Sequence, residues 1–329
     1  MNRRELLKML GALAALPVGT ALARPDNGSN APGQPVSVAL LRHEYPLPPR
    51  DVDLIGRFQR VTVFPGDTLL DIGRRHGIGF EAMRMANPGV DLFVPEVGRE
   101  VLVPTRFILP QAPREGLIVN LPEMRIYYYP TPARGAVRTV ETYAISIGRM
   151  DWATPVGVTR VVNRIEQPDW FPPESVRQRV LREEGTVLPR RVPPGPDNPL
   201  GDYAVGLDIP GYFIHGTNRP YGVGMRASAG CIRMYPEDIA SLVYRLPVGT
   251  QVRIINEPYK VGAALGRMFV QAFPVLEEDR EAWADKGYQR AVDVLGELLE
   301  RRPIRIDYNR LKAVVDDANG LVTDITRSG

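Results

Sequence analysis

The chain has 329 residues, 44% hydrophobic and 24% charged, which suits a globular protein of two or three domains with a sizeable core. Of its 41 basic and 38 acidic residues, three basic and one acidic lie in the first 23 positions, so the rest carries 38 against 37. That near balance gives no argument for nucleic acid as a partner. Its 32 prolines exclude an all-helical body, and one cysteine with three histidines excludes a disulfide framework and gives no expectation of a metal or cofactor. No C-x-x-C, H-E-x-x-H, calcium-loop or phosphate-loop pattern occurs.

Residues 1–23 read as an export signal: Arg3 and Arg4 form a positive start, Leu13 to Leu16 lie in an apolar stretch, and Ala21-Leu22-Ala23 offers a cleavage site. Asn2-Arg-Arg-Glu-Leu-Leu-Lys8 also approximates a twin-arginine signal. The apolar run is too short to span a bilayer, so export with no stable membrane span after processing is expected. Residues 24–57, rich in Pro, Gly and Asn at their start, read as a linker, and His43 within it is treated as incidental.

Residues 58–105 form a compact pattern. Arg60 to Phe64 alternates as a strand, Pro65-Gly-Asp-Thr68 turns, and Thr68-x-x-Asp71 reads as a capping box opening a helix. Phe80 to Ala86 suggests a second helix ending at Asn87-Pro88-Gly89, and Glu100 to Pro104 a second strand. Thr105 to Arg114 is a short connection that keeps the flanking units close.

Residues 115–256 read as mainly β. Leu117 to Leu121, Arg125 to Tyr129, Thr139 to Ile147 and Val158 to Ile165 are strand-like, and eight prolines between 168 and 199 leave room only for a helix over Glu174 to Glu184. A loop of this size is either a flap over a cleft or a surface excursion. His215 then lies at the end of a strand, and Ile239, Leu242, Val243 and Leu246 mark the core stripe of a helix after Pro236. Gln251 to Ile255 returns as a strand. Residues 257–329 read as a helical extension, with stripes at Ala291, Val294, Leu295, Leu298 and at Leu311, Val314, Val315.

Chemistry concentrates in Tyr212-Phe-Ile-His-Gly-Thr-Asn218 and Ser228-Ala-Gly-Cys-Ile-Arg-Met234. A thiol that attacks a carbonyl needs a base, histidine best suits that task near neutral pH, and glycines let backbone N–H groups approach an oxyanion. An odd cysteine in an exported protein also marks a reactive thiol. A buried structural cysteine beside an unrelated histidine is the bland alternative, and the shared glycine-rich segment argues against it.

These two motifs resemble the signature of the L,D-transpeptidase (YkuD-type) catalytic domain. Ile-Ser-Ile-Gly148 followed by Thr154-Pro-x-Gly157 matches the same pattern, and Pro193 to Gly201 resembles the lead-in found in the subgroup bearing a LysM domain, which anchors lipoproteins. Pro65-Gly-Asp-Thr-Leu69 with Asn87-Pro88 is similar to LysM, although Leu70 stands where that fold often has Trp. The fold implied is a mainly β, sandwich-like α+β catalytic domain with a small βααβ LysM-like domain and C-terminal helices.

The resemblance implies that Cys231 is the nucleophile, His215 the base, the Gly216 carbonyl the group orienting it, and the Gly230 and Cys231 N–H groups the oxyanion donors. Arg233, Ser228 and Asn218 become candidate substrate contacts, with an ion pair under the loop as the other reading of Arg233. Gly66, Asp67, Thr68 and Asn87 become candidate glycan contacts, with a spacer that has lost affinity as the other reading. The family often has Ser-His-Gly-Cys; Ala229 here leaves His215 without a competitor in the domain. The implied reaction joins a peptidoglycan tetrapeptide stem, cut at its diamino acid–D-Ala bond, to a lipoprotein lysine, to a second stem in a 3-3 cross-link, or to water. Carbapenems typically acylate such enzymes. A non-catalytic wall-binding protein and a cysteine peptidase of another class remain the competing functions.

Overall fold

The computed structural model describes residues 44–284 and 286–327; the expected export signal, the first part of the linker and His43 lie outside them. Among the described residues, ten strands form one sheet. The long strand Thr139–Gly148 stands at both ends of its order, pairing with Arg125–Tyr129 through residues 141–144 and with Ile232–Met234 through Ile145 and Ser146. The sheet therefore closes on itself.

Its interior is filled by Leu117, Val119, Ile126, Ile145, Val161, Val205, Ile214, Ile232 and Val252. The helix Pro236–Val243 completes that core through Ile239, Leu242 and Val243, with Pro at its first position, where the missing N–H costs nothing. Part of the outer face is covered too. Ile118, Tyr127, Tyr129 and Val140 pack with Leu69, Ile72, Ile78, Met83, Val101 and Val103 of the small N-terminal unit in one apolar cluster. Burial on both faces explains why Leu117 to Asn120 and Arg125 to Tyr129 lack polar alternation.

That small unit has the expected order. Strand Gln59–Thr62 pairs antiparallel with Glu100–Val103, and the helices Leu69–Arg75 and Phe80–Ala86 lie between them. Thr68 and Asp71 form the reciprocal capping box. Residues 44–57 are not plain linker: Glu44–Pro46 adds to the edge of Thr139–Gly148, and Leu54–Gly56 pairs with Arg106–Ile108, which turns the expected connection after Thr105 into a strand.

The C-terminal segment departs furthest from expectation. It contains helices Gly287–Leu299 and Tyr308–Asp317, but also a three-stranded sheet of Tyr259–Ala264, Arg267–Ala272 and Thr323–Asp324. The hairpin turns at Leu265-Gly266, both at positive φ (50° and 72°), the conformation that suits the strand twist. Lys260 on its first strand is wholly buried, donating to Glu123 Oε2 and the Ile108 carbonyl, each at 2.7 Å, and to Tyr127 Oη at 3.0 Å. A buried cation is tolerable only with such partners, and this one ties the hairpin to the large sheet and to the strand Arg106–Ile108.

Candidate active site

Two short parallel strands carry the site. Phe213–His215 lies beside Ile232–Met234, with Ile214 opposite Ile232 and His215 opposite Arg233. Ile214 and Ile232 point into the core, so alternation sends Phe213, His215, Cys231 and Arg233 to the other face. Cys231, immediately before its strand, falls opposite Phe213 in this register, two residues from His215 and on the same side.

Each group is held by backbone. His215 is 3% exposed, and its Nδ1 lies 2.7 Å from the Gly216 carbonyl, which as acceptor fixes the proton there and leaves Nε2 free to take another. Burial, and then the charge of Arg233, push its pKa down to about 4, against support from the Gly216 and Leu200 carbonyls. The Cys231 thiol is pushed up by burial, offset in part by the Phe213 N–H and Arg233, and its Sγ sits 3.6 Å from the Gly211 carbonyl. At neutral pH the resting pair is thus an imidazole and a thiol, both uncharged.

Arg233 lies against both. Its own pKa is lowered by burial and by Arg219 nearby, its Nε is buried without a hydrogen-bond partner, and among the described residues it forms no ion pair. A desolvated guanidinium left unpaired next to a thiol is able to receive an anion.

The loop that carries Cys231 is pinned from below. Gly230 has φ +99°, and a Cβ there would come within 2.9 Å of the Tyr212 ring, so only glycine fits. Thr154 Oγ1 accepts from the Gly148 N–H at 3.0 Å and donates to the Gly230 carbonyl at 2.8 Å. The Ser228 hydroxyl donates to the Cys231 carbonyl, so Ser228 shapes the loop, and its own carbonyl accepts from Arg149 N–H at 3.0 Å. Gly148 and Thr154 stood in the sequence as part of the family-like pattern; their part in holding Gly230 needs the fold.

Asn218 donates to the Pro196 carbonyl at 3.0 Å and so fastens the proline-rich segment to the site. That segment carries structure of its own. Trp170 and Val192 bridge its base, the helix Glu174–Glu184 ends at Gly185 in a left-handed cap, and Arg179 stacks on Trp152 at 4.9 Å.

In the small unit the expected glycan contacts are otherwise engaged. Asp67 pairs with Arg75 at 2.7 Å, Thr68 caps its helix, and Asn87 is buried, bonding the Leu102 N–H at 2.7 Å and the Leu102 carbonyl at 2.8 Å. Gly66 has open space around it. Among the exposed groups nearby are Phe64 and Phe93, 64% and 62% accessible.

The family model for the L,D-transpeptidase catalytic domain, YkuD, matches residues 114–254. The probable L,D-transpeptidase YcfS of Escherichia coli (strain K12) is 42% identical over 67% of this chain and 68% of its own. The probable L,D-transpeptidase ErfK/SrfK of Salmonella typhimurium is 43% identical over 69% of this chain and 74% of its own. The probable L,D-transpeptidase YbiS of Escherichia coli (strain K12) is 41% identical over 66% and 70%.

Proposed function

Because the chain belongs to the L,D-transpeptidase family, it is an acyl-transfer enzyme, and we propose that Cys231 forms a thioester with a peptidoglycan tetrapeptide stem at the diamino acid–D-Ala bond. The observation that carries this reading is the shared face: base, thiol and unpaired guanidinium on two adjacent strands, with the imidazole already oriented by Gly216.

Cys231 Sγ attacks the carbonyl carbon while His215 Nε2 takes the thiol proton, so charge develops only as the C–S bond forms. The oxyanion is received by the Gly230 and Cys231 N–H groups on the glycine-permitted loop. Collapse breaks the C–N bond, the imidazolium gives its proton to the D-Ala nitrogen, and D-Ala leaves. An amine then attacks the thioester, loses its proton to His215, and the thiol is restored. A resting histidine held near 4 is unprotonated at neutral pH, as a general base must be. Arg233 receives a carboxylate of the stem.

The acceptor is a lipoprotein lysine or the amine of a second stem. The enzyme works in the periplasm, delivered by the signal at residues 1–23, and no described helix is long and apolar enough to cross a membrane. The small unit holds the glycan strand, with Phe64 and Phe93 as stacking surfaces for sugar rings.

Incubation with isolated cell wall, with and without a lipoprotein acceptor, followed by muropeptide analysis and intact-mass measurement, tests the reading. Wild type gains an acyl or carbapenem adduct, and a folded Cys231→Ala variant gains none. An adduct on that variant would sink the assignment.

A further inference from the structure

The loop from Gly216 to Gly230 joins base to nucleophile, and its midpoint is gripped by the small N-terminal unit. Phe80 N–H donates to the Val223 carbonyl at 2.8 Å and Glu81 N–H to the Gly224 carbonyl at 3.3 Å. Gly79 and Gly224 meet backbone to backbone. A Cβ on Gly79 would lie 2.6 Å from Gly224 Cα, and one on Gly224 only 2.3 Å from the Phe80 nitrogen. On its other side the same stretch is held by the sheet, through Ser146 Oγ to the Gly222 carbonyl at 2.7 Å and Ile147 N–H to the Met225 carbonyl at 3.4 Å.

Further bonds fix the unit itself against the site's strands. Tyr235 Oη donates to the Ile78 carbonyl at 3.1 Å, Arg125 to the Gly77 carbonyl at 3.2 Å, and Arg74 makes a two-bond pair with Glu237, both at 2.7 Å. From Gly224 the chain runs directly into Arg226–Ser228, which pairs with Ile147 and Gly148, and then into Gly230 and Cys231. Arg226 stiffens that path by donating to the Gly148 carbonyl at 3.1 Å and pairing with Glu278. Close-packed segments of this kind transmit displacement rather than absorb it.

We propose that Gly79 and Gly224 are positioning residues for acyl transfer: the small unit is a fixed wall of the catalytic loop and sets where Gly230 and Cys231 sit. This rests on the reading of Cys231 as nucleophile. A wall-binding accessory on a tether would need no glycine-to-glycine contact with that loop; a part of the catalytic frame does.

The test uses full-length Gly79→Ala. Gly79 has φ −80°, which alanine adopts freely, so the added methyl acts only by pushing on Gly224. With a soluble tetrapeptide donor, kcat falls about 10- to 100-fold, the scale of a displacement near 1 Å, while KM stays within about twofold. Alkylation of Cys231 by iodoacetamide, which needs no oxyanion site, and retention on isolated cell wall both stay at wild-type levels. Gly89→Ala is the control: it places alanine at φ +77° in the same unit with nothing within 4 Å, and leaves kcat unchanged. Full kcat in folded Gly79→Ala, or an equal loss in Gly89→Ala, overturns the proposal while leaving the catalytic reading intact. Should Gly79→Ala not fold, Tyr235→Phe decides: it removes only the bond to Ile78, and an unchanged kcat overturns the proposal. Wild-type protein that takes up no acyl group overturns the catalytic reading, and the proposal with it.

Discussion

The catalytic face and the small N-terminal unit both carry motif residues, but they treat their polar side chains in opposite ways. On the candidate catalytic face Arg233 keeps a buried Nε without a partner and the Cys231 thiol is only half-buried, while His215 has its Nδ1 anchored on the Gly216 carbonyl. In the small unit Asp67, Thr68 and Asn87 are all spent on the unit's own caps, pairs and strand edge, while Phe64 and Phe93 stand out in solvent. Leaving a buried polar group unsatisfied costs free energy, so such groups persist where a ligand completes them. A motif residue whose bonds are all made at home is instead keeping the fold. The two regions thus teach that a motif locates a structure first, and that a motif residue with unspent bonding capacity is the one to test for chemistry.

The contrast is broken most easily at His215. His215→Ala removes the proposed base, and acylation of Cys231 should fall roughly a hundred- to ten-thousand-fold with little change in folding, read by intact-mass kinetics and thermal unfolding. A variant acylated at the wild-type rate would mean that the imidazole is merely buried there.

Arg233→Met comes next. Losing a charge-assisted contact of about 1.5–3 kcal/mol should lower kcat/KM about 10- to 150-fold. The pH dependence sharpens the point. The positive charge of Arg233 depresses the His215 pKa, so its removal raises it, and the acid limb of kcat/KM moves up from about 4 towards the ordinary histidine range. Measured at pH 5 relative to pH 7.5, the variant should lose more activity than wild type. An acid limb that stays in place would show that the guanidinium does not face the base.

Asn87 probes the other side of the comparison. Asn87→Ala strands the N–H and carbonyl of Leu102, and unfolding stability should drop by about 2–4 kcal/mol in denaturant titrations. Turnover of a soluble donor by the folded fraction should hold. A glycan-retention defect without loss of stability would instead restore Asn87 as a ligand contact.

Much of this was legible in the sequence for reasons that are local. The capping box at Thr68 and Asp71, the Pro236 start and the stripe Ile239, Leu242, Val243, Leu246 are short-range patterns, and each lies where the spacing put it. The His215 and Cys231 motifs lie sixteen positions apart in a glycine-rich segment, so their meeting on adjacent strands needed no long-range information. The C-terminal hairpin hid because Lys260 to Ala263 and Met268 to Ala272 are buried on both faces, which erases alternation, and because its turn is Leu265-Gly266 rather than Asn-Gly. Three-residue edge strands such as Leu54–Gly56 exist only because a distant partner is present. The contact of Gly79 with Gly224 is of the same kind: a glycine chosen for what it touches leaves no periodic trace.

The smallest effect concerns Phe93. The backbone of residues 91–99 runs beside Val63 to Leu69, through Leu69 N–H to the Leu92 carbonyl and Val63 N–H to the Arg99 carbonyl, both 2.9 Å, so Phe64 and Phe93 occupy one end of the unit. Both rings are mostly exposed, and exposed aromatic faces suit sugar rings better than they suit water. Phe93→Ala should weaken retention on isolated cell wall by about fivefold, on the scale of one lost aromatic contact of about 1 kcal/mol, with kcat on a soluble stem unchanged. If retention is untouched while Gly79→Ala slows acyl transfer, the small unit serves the reaction as framework and not as a hand on the wall.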